Sequence, residues 1–226
     1  MRKRSKKYNE SVKLIDKSKA YNLEEAVSTL KKMPALKFDQ SIDVGIQLNV
    51  DPKKSDQLIR GTVVLPNGTG KTKRIAVFCK GEAEKQAKDA GADFVGGQEL
   101  IDKVTGGWLE FDVAVSTPEM MRDLSKLGKV LGPRGLMPSP KTGTVTNNIT
   151  QAVTELKAGK VEFKTDKQGG IHVLVGKLSF EGNKLIENVK ALMAAISSSK
   201  PPSVKGNLIK SISLSSTMSP GFKVAL

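Results

Sequence analysis

The chain has 226 residues, 38% hydrophobic and 27% charged, which supplies a packed core for one large domain or two ordinary ones and excludes wholesale disorder. Its net charge of +14 points to a polyanionic partner, and its single cysteine, Cys79, excludes an internal disulfide and fits a reducing compartment. No run approaches the ~18 apolar residues of a membrane span, and the basic start Met1 to Lys7 lacks the apolar segment of a secretory signal, so a soluble cytoplasmic protein without a membrane partner is expected.

Along the chain, Asn22-Leu-Glu-Glu25 has the form of a capping box, with Glu25 reaching back to the Asn22 amide. The helix it opens carries Ala26, Leu30 and Met33 and stops near Pro34. Residues 41–50 place an apolar side chain at every even position, the period of a half-buried strand. Asp51-Pro52 breaks it, and Ile59 to Leu65 is a second strand that ends at Pro66-Asn67-Gly68.

The middle has another rhythm. Ile75 to Cys79 is a continuous apolar strand, Glu82 to Ala90 a helix, Asp93 to Gly96 a short strand, 98–104 a helix and Phe111 to Val115 a strand. Apolar strands alternating with short helices predict a small parallel sheet covered on both faces, a Rossmann-like α/β arrangement. A helix over 149–158, with Ile149, Ala152, Val153 and Leu156, ends at Gly159.

The last third returns to the first pattern. Ile171, Val173 and Val175 alternate in a strand, and Asn183 is placed to cap a long helix with Leu185, Ile186, Val189, Leu192, Met193 and Ile196 on one face. Leu208 to Ser215 is a strand with Ser211, Ser213 and Ser215 on one side and Ile212 and Leu214 on the other. Each chain end supplies about two strands and a helix, too little for a stable sheet. Joined, they predict an α+β sandwich of helices on an antiparallel sheet, built from residues 1–66 plus 160–226, with 67–159 inserted as the α/β domain. Charge divides the same way: the two end segments carry net +6 each and the insert +2. The ends are therefore the expected nucleic-acid-binding domain, because a basic surface releases counterions from a phosphate backbone.

Gly68-Thr-Gly-Lys71-Thr72 resembles part of a phosphate loop, but the glycine required at position 65 is Leu65, Pro66 removes an amide donor, and the apolar run from Ile75 predicts a strand where the loop needs a helix. A basic, flexible connection fits it better. No Gly-x-Gly-x-x-Gly lies between a strand and a helix of the insert. The only histidine, His172, falls on the polar side of a strand and Cys79 within an apolar one, and no cluster has metal-ligand spacing. An enzyme is not expected, nor a cofactor or a metal. Lys126 to Val145 is rich in Gly and Pro, which predicts irregular loop, and Lys126, Lys129, Arg134 and Lys141 suit it to a phosphate backbone. Lys37-Phe38 sets a cation beside an aromatic face just before the alternating strand, and the Ser211, Ser213 and Ser215 row can reach phosphates or ribose 2′-hydroxyls. With 4% aromatic residues, a stacking platform for single strands is disfavoured, and a folded RNA recognised by shape fits better. No helix-turn-helix or basic-region pattern supports a DNA partner.

These pieces carry a resemblance. Lys37-Phe-Asp39, Asp51-Pro52 with Ser55-Asp-Gln57, Arg60-Gly-Thr62 through Leu65-Pro-Asn-Gly-Thr-Gly70, the Gly128–Pro140 loop, Val161-Glu-Phe-Lys164 with Asp166-Lys167, and Thr217-Met218 are similar, over essentially the whole length, to the family of bacterial ribosomal proteins that form the mobile side stalk of the large subunit. The resemblance implies two domains, the first from both chain ends and the second inserted. It implies binding to the stalk helices of large-subunit ribosomal RNA, help in releasing deacylated tRNA from the exit site, repression of the operon's own messenger RNA, and a monomer when free. The RNA-contacting positions it implies are Lys37, Phe38, Ser41, Lys164, Lys167, Ser211, Thr217 and Met218, to which the hydroxyl row adds Ser213. The family has glycine after the Thr-Met pair; this chain has Ser219 there, counted with the site.

Overall fold

A computed structural model of the chain describes residues 5–16, 19–34, 36–204 and 206–225. The basic start Met1–Arg4 lies outside the described residues. In chain order the elements are α1 (Lys6–Lys13), α2 (Leu23–Lys31), β1 (Ser41–Leu48), β2 (Arg60–Val64), β3 (Ile75–Phe78), α3 (Glu82–Asp89), β4 (Phe94–Gly96), α4 (Gln98–Thr105) and β5 (Val113–Ser116). There follow α5 (Met121–Leu124), α6 (Gly128–Leu131), α7 (Ile149–Lys157), β6 (Lys160–Lys164), β7 (Gly170–Lys177), α8 (Gly182–Ser198), β8 (Ile209–Ser216) and β9 (Phe222–Val224). The chain divides into two compact units, 1–70 with 161–226, and 71–160.

Unit 1 is built on an antiparallel sheet of order β7-β1-β8-β9. Its central strand comes from the first chain segment and its neighbours from the last. The alternation in β1 buries Ile42, Val44, Ile46 and Leu48, which pack with Ile171, Val173 and Val175 of β7 and Ile212 and Leu214 of β8. Helices α2 and α8 cover this face through Ala26, Val27 and Leu30 and through Leu185, Val189, Leu192 and Ile196. The opposite face carries the polar residues. β2 and β6 form a separate two-stranded ribbon, held by Phe163 packed against Gly61 and by an Arg60–Glu162 ion pair at 2.7 Å.

Unit 2 carries the parallel sheet β4-β3-β5. Ala76 and Phe78 face one cluster with Leu100, Ile101 and Val104 of α4, while Ile75 and Val77 face another with Ala87 of α3 and Val153 of α7. Both faces are covered, which is why β3 reads as an unbroken apolar run. The protein is thus a mixed α/β fold with one antiparallel and one parallel sheet.

Local details depart from the sequence reading. Asn22 is the cap residue of α2 but makes no side-chain capping bond; the Glu25 carboxylate instead takes the Lys19 ammonium at 3.1 Å. The first residue before α8 is Glu181, so Asn183 lies inside the first turn. The 126–145 stretch is not all loop: Leu127 and Leu131 are buried, and their burial folds it into 3-10 turns and α6. β9 pairs with β8 and was not anticipated, because three residues are too few to show a period. Gly68 to Thr72 is pinned at its start. Asn188, fully buried in α8, accepts from the Asn67 amide and donates to the Gly68 and Val175 carbonyls. At Gly70, φ is +72° and a Cβ would lie 2.8 Å from the Lys177 side chain, so only glycine passes there without strain.

Candidate nucleic-acid interface

Because β1 buries its even positions, Ser41, Asp43, Gly45 and Gln47 stand on the open face of the sheet. The register continues that face across its neighbours: Gly45 lies opposite His172 on β7 and Ser213 on β8, and Ser213 lies opposite Lys223 on β9. His172, Ser213 and Lys223 are exposed. A Cβ at Gly45 would sit 2.8 Å from the Ser213 hydroxyl and 3.3 Å from His172 Nδ1, so glycine keeps the centre of this face flat. Ser213 Oγ donates to the Gly45 carbonyl at 3.0 Å, while the exposed Ser211, opposite Gln47, has no side-chain partner among the described residues.

At one end of β1 the chain crosses from β8 into a tight turn. The Thr217 hydroxyl accepts from the Ser41 amide at 3.0 Å and lies 3.3 Å from the Ser41 carbonyl, so it extends the pairing of β1 with β8. Ser41 Oγ accepts in turn from Lys177 Nζ at 3.3 Å. Ser219 Oγ accepts from the Ser216 amide at 2.8 Å and donates to the Pro220 carbonyl at 3.0 Å, closing the turn that presents Met218. No non-glycine residue among those described has positive φ, so the backbone at Ser219 does not require the family's glycine. Beside the turn stand Lys37 and Phe38. Phe38 is 53% exposed and Met218 55%, two large apolar groups presented to solvent at this end of the sheet.

At the other end, Lys164 closes β6 and Lys167 sits on the following turn. The Asp166 carboxylate organises that turn, accepting from the Gly170 amide at 2.7 Å and the Gln168 amide at 2.8 Å. Those amides hold its pKa below the ordinary carboxylate value. Gln47 Nε2 donates to the Gln168 carbonyl at 3.0 Å and ties the turn to β1 across from Ser211. Lys164 and Lys167 line a shallow hollow with Pro52 and Leu58.

The anticipated positions thus fall into three linked groups, all on unit 1. Lys37, Phe38, Ser41, Thr217, Met218 and Ser219 gather at one end of the sheet, Ser211 and Ser213 run along its face, and Lys164 and Lys167 stand at the far rim. Lys37, Lys164, Lys167, Lys210 and Lys223 have no ion-pair partner among the described residues. Sequence reasoning passed over Gln40, Gln47, Lys177 and Lys223; the even spacing of β1 could have put Gln47 on the face, whereas Lys223 needed the unseen β9. Lys126, Lys129, Arg134 and Lys141 lie on unit 2, where Lys126 pairs with Asp123 at 3.5 Å. Cys79 is fully buried, and burial pushes its thiol pKa up to about 11. No group of residues able to hold a metal, and no helix long and apolar enough to cross a membrane, occurs among the described residues.

Residues 29–220 match the model of the ribosomal protein L1p/L10e family. The chain is 57% identical to the large ribosomal subunit protein uL1 of Protochlamydia amoebophila (strain UWE25), covering 98% of this chain and 94% of that one. It is 55% identical to the proteins of the same name from Chlamydia caviae and Chlamydia pneumoniae, each match covering 99% of this chain and 97% of the relative. A family match over most of its length and relatives more than half identical along almost all of it place this chain in the ribosomal protein L1p/L10e family.

Proposed function

We propose that this protein, a structural component of the large ribosomal subunit rather than an enzyme, grips a folded stretch of large-subunit ribosomal RNA through the open sheet face of unit 1 and its two rims. The observation that carries this is the set of unpaired lysines around a flat face lined with hydroxyls. Lysines neutralise phosphates, and Ser211 and Ser213 can pair with ribose 2′-hydroxyls, which distinguish RNA from DNA. The same grip serves the finer roles that the resemblance implies. A surface that reads shape and ribose binds any RNA folded alike, so a mimic of the ribosomal site in the operon messenger would let the free protein repress its own synthesis. Carried on the stalk, the protein would assist release of deacylated tRNA from the exit site.

Binding of a transcript of the stalk helices, measured across a range of salt, tests this reading. The log–log slope against salt should flatten by about one unit in Lys164→Ala and again in Lys167→Ala, because each loses one phosphate contact. DNA of the same sequence should not compete. Slopes unchanged in both variants remove these lysines from the site.

A further inference from the structure

A cavity of about 520 Å³ opens on unit 1 between α1, the segment after α2 and the 216–219 turn. Its floor is apolar, with Met33 and Leu36, and the exposed Phe38 and Met218 flank it. Lys6, Lys7 and Lys37 line it too, and no carboxylate does. One polar group stands out. Gln40 lines the cavity yet is only 4% exposed, and its Oε1 accepts from Ser216 Oγ at 2.9 Å and from the Met218 amide at 3.3 Å. An amide N–H can only donate, so the atom it meets is the oxygen, and the two donors of Gln40 Nε2 are left without an acceptor among the described residues. Among the described residues only Ser116 Oγ is a polar side-chain atom both sealed from solvent and without a partner, so Gln40 Nε2 opens onto the cavity, free to donate to whatever enters it.

We infer that this cavity receives one unstacked nucleobase of the bound RNA. A base is planar and aromatic, so its faces suit Phe38 and the Met218 thioether. Its edge carries the acceptors that Gln40 Nε2 lacks, a pairing glutamine makes with bases elsewhere. The phosphates on either side of an extruded base would meet the three lysines. The volume lies within the roughly 300–1,000 Å³ of small-molecule sites and admits a base with its ribose. An apolar peptide would use the floor but would leave the Gln40 donors unanswered. The inference rests on the RNA-binding reading above and adds to it a place where a single base is held.

The test uses the full chain and the stalk-helix transcript carrying 2-aminopurine at one unpaired position at a time. This base brightens when it leaves the neighbours that quench it. One position should brighten when the wild-type protein saturates the RNA. The signal should disappear in Leu36→Trp, whose indole fills the cavity, and in Gln40→Glu, which keeps the oxygens used by Ser216 and Met218 but loses the donors. RNA affinity should fall about ten- to a hundredfold in either variant, the worth of one stacked base. Lys164→Ala, remote from the cavity, should weaken binding yet keep the brightening at saturation. If Leu36→Trp fails to fold, as a thermal melt would show, Gln40→Glu decides. The inference falls alone if the RNA binds but no position brightens and both variants bind as tightly as wild type, the result expected of a cavity meant for a protein partner. Absence of RNA binding by the wild-type chain overturns the RNA-binding reading and this inference with it.

Discussion

Neighbouring residues on β8 have opposite duties, and single substitutions should separate them. Ser211 is exposed and spends its hydroxyl on nothing within the described residues, so Ser211→Ala should leave the melting temperature unchanged. If the hydroxyl meets RNA, affinity should drop about two- to tenfold, the net worth of a hydrogen bond near 0.5–1.5 kcal/mol. Ile212, one residue on, is 2% exposed in the sheet core. Ile212→Ala should destabilise by about 2–5 kcal/mol through the cavity left behind, while the folded fraction binds as before. Thr217 is not a clean probe of contact, because its hydroxyl satisfies the Ser41 amide; Thr217→Val acts on the sheet and on the RNA together. That double duty was not visible in the sequence, where Thr217 reads only as the next step of the serine row. Cys79 offers a test at the same scale. Its thiol, with a pKa near 11 and no exposure, should resist iodoacetamide at pH 8 in the native protein and react once the chain is unfolded. Rapid native alkylation would contradict its burial.

At the scale of elements, the turn bearing Lys167 is held by one carboxylate, and its response to pH follows from the direction of the shift. The folded-state pKa of Asp166 is lowered by amides that donate more strongly to its charged form, while the unfolded value stays near the ordinary ~3.9. Its contribution is therefore present in full above about pH 4 and lost as pH falls through the lower folded value. An NMR titration should place the Asp166 midpoint below that of an unstructured aspartate. Asp166→Ala should speed hydrogen exchange at Gln168 and Gly170, the donors it loses, and should weaken RNA binding although it removes a negative charge. Stronger binding after the substitution would mean that the turn matters only through its charge. Elements with a long period were legible in the sequence: β1, β7 and α8 announce themselves because burial repeats along them every two or three to four residues. Short or Gly-rich elements were not. β9 has three residues, and α6 forms from a stretch whose glycines and prolines argue for loop but whose Leu127 and Leu131 find a core. The cap of α2 was legible as position and not as bond, since Asn22 stands there while Glu25 prefers a lysine, whereas the cap of α8 fell two residues before Asn183. Gln40 was the least legible part of the site: a glutamine ahead of a strand looks like any solvated polar residue until the 216–219 turn closes over it.

For the molecule as a whole, the sheet of unit 1 requires both chain ends. β1 lies between β7 and β8, so residues 1–70 alone lack its partners and residues 161–226 alone lack the strand that joins them. The ribbon of β2 and β6 shows how the halves meet: Gly61 packs on Phe163, so the chain leaves unit 1 and re-enters it along paired strands. A chain that joins residues 1–70 to 161–226 through a short glycine linker should therefore fold, melt in one cooperative transition and keep most of the affinity for the stalk-helix transcript. Closing a short connection in place of a 90-residue insert costs less chain entropy, which favours folding of the joined chain. Affinity should persist because every residue of the three groups on the open sheet and its rims lies in this unit, whose two segments carry net charges of +6 and +5. Residues 71–160 produced alone should bind at least tenfold more weakly, since the lysines there face no hydroxyl row and two of them, Lys80 and Lys126, already pair with Asp123. If instead that segment binds the transcript as tightly as the full chain, the RNA-binding surface lies on unit 2 and the assignment to unit 1 is wrong.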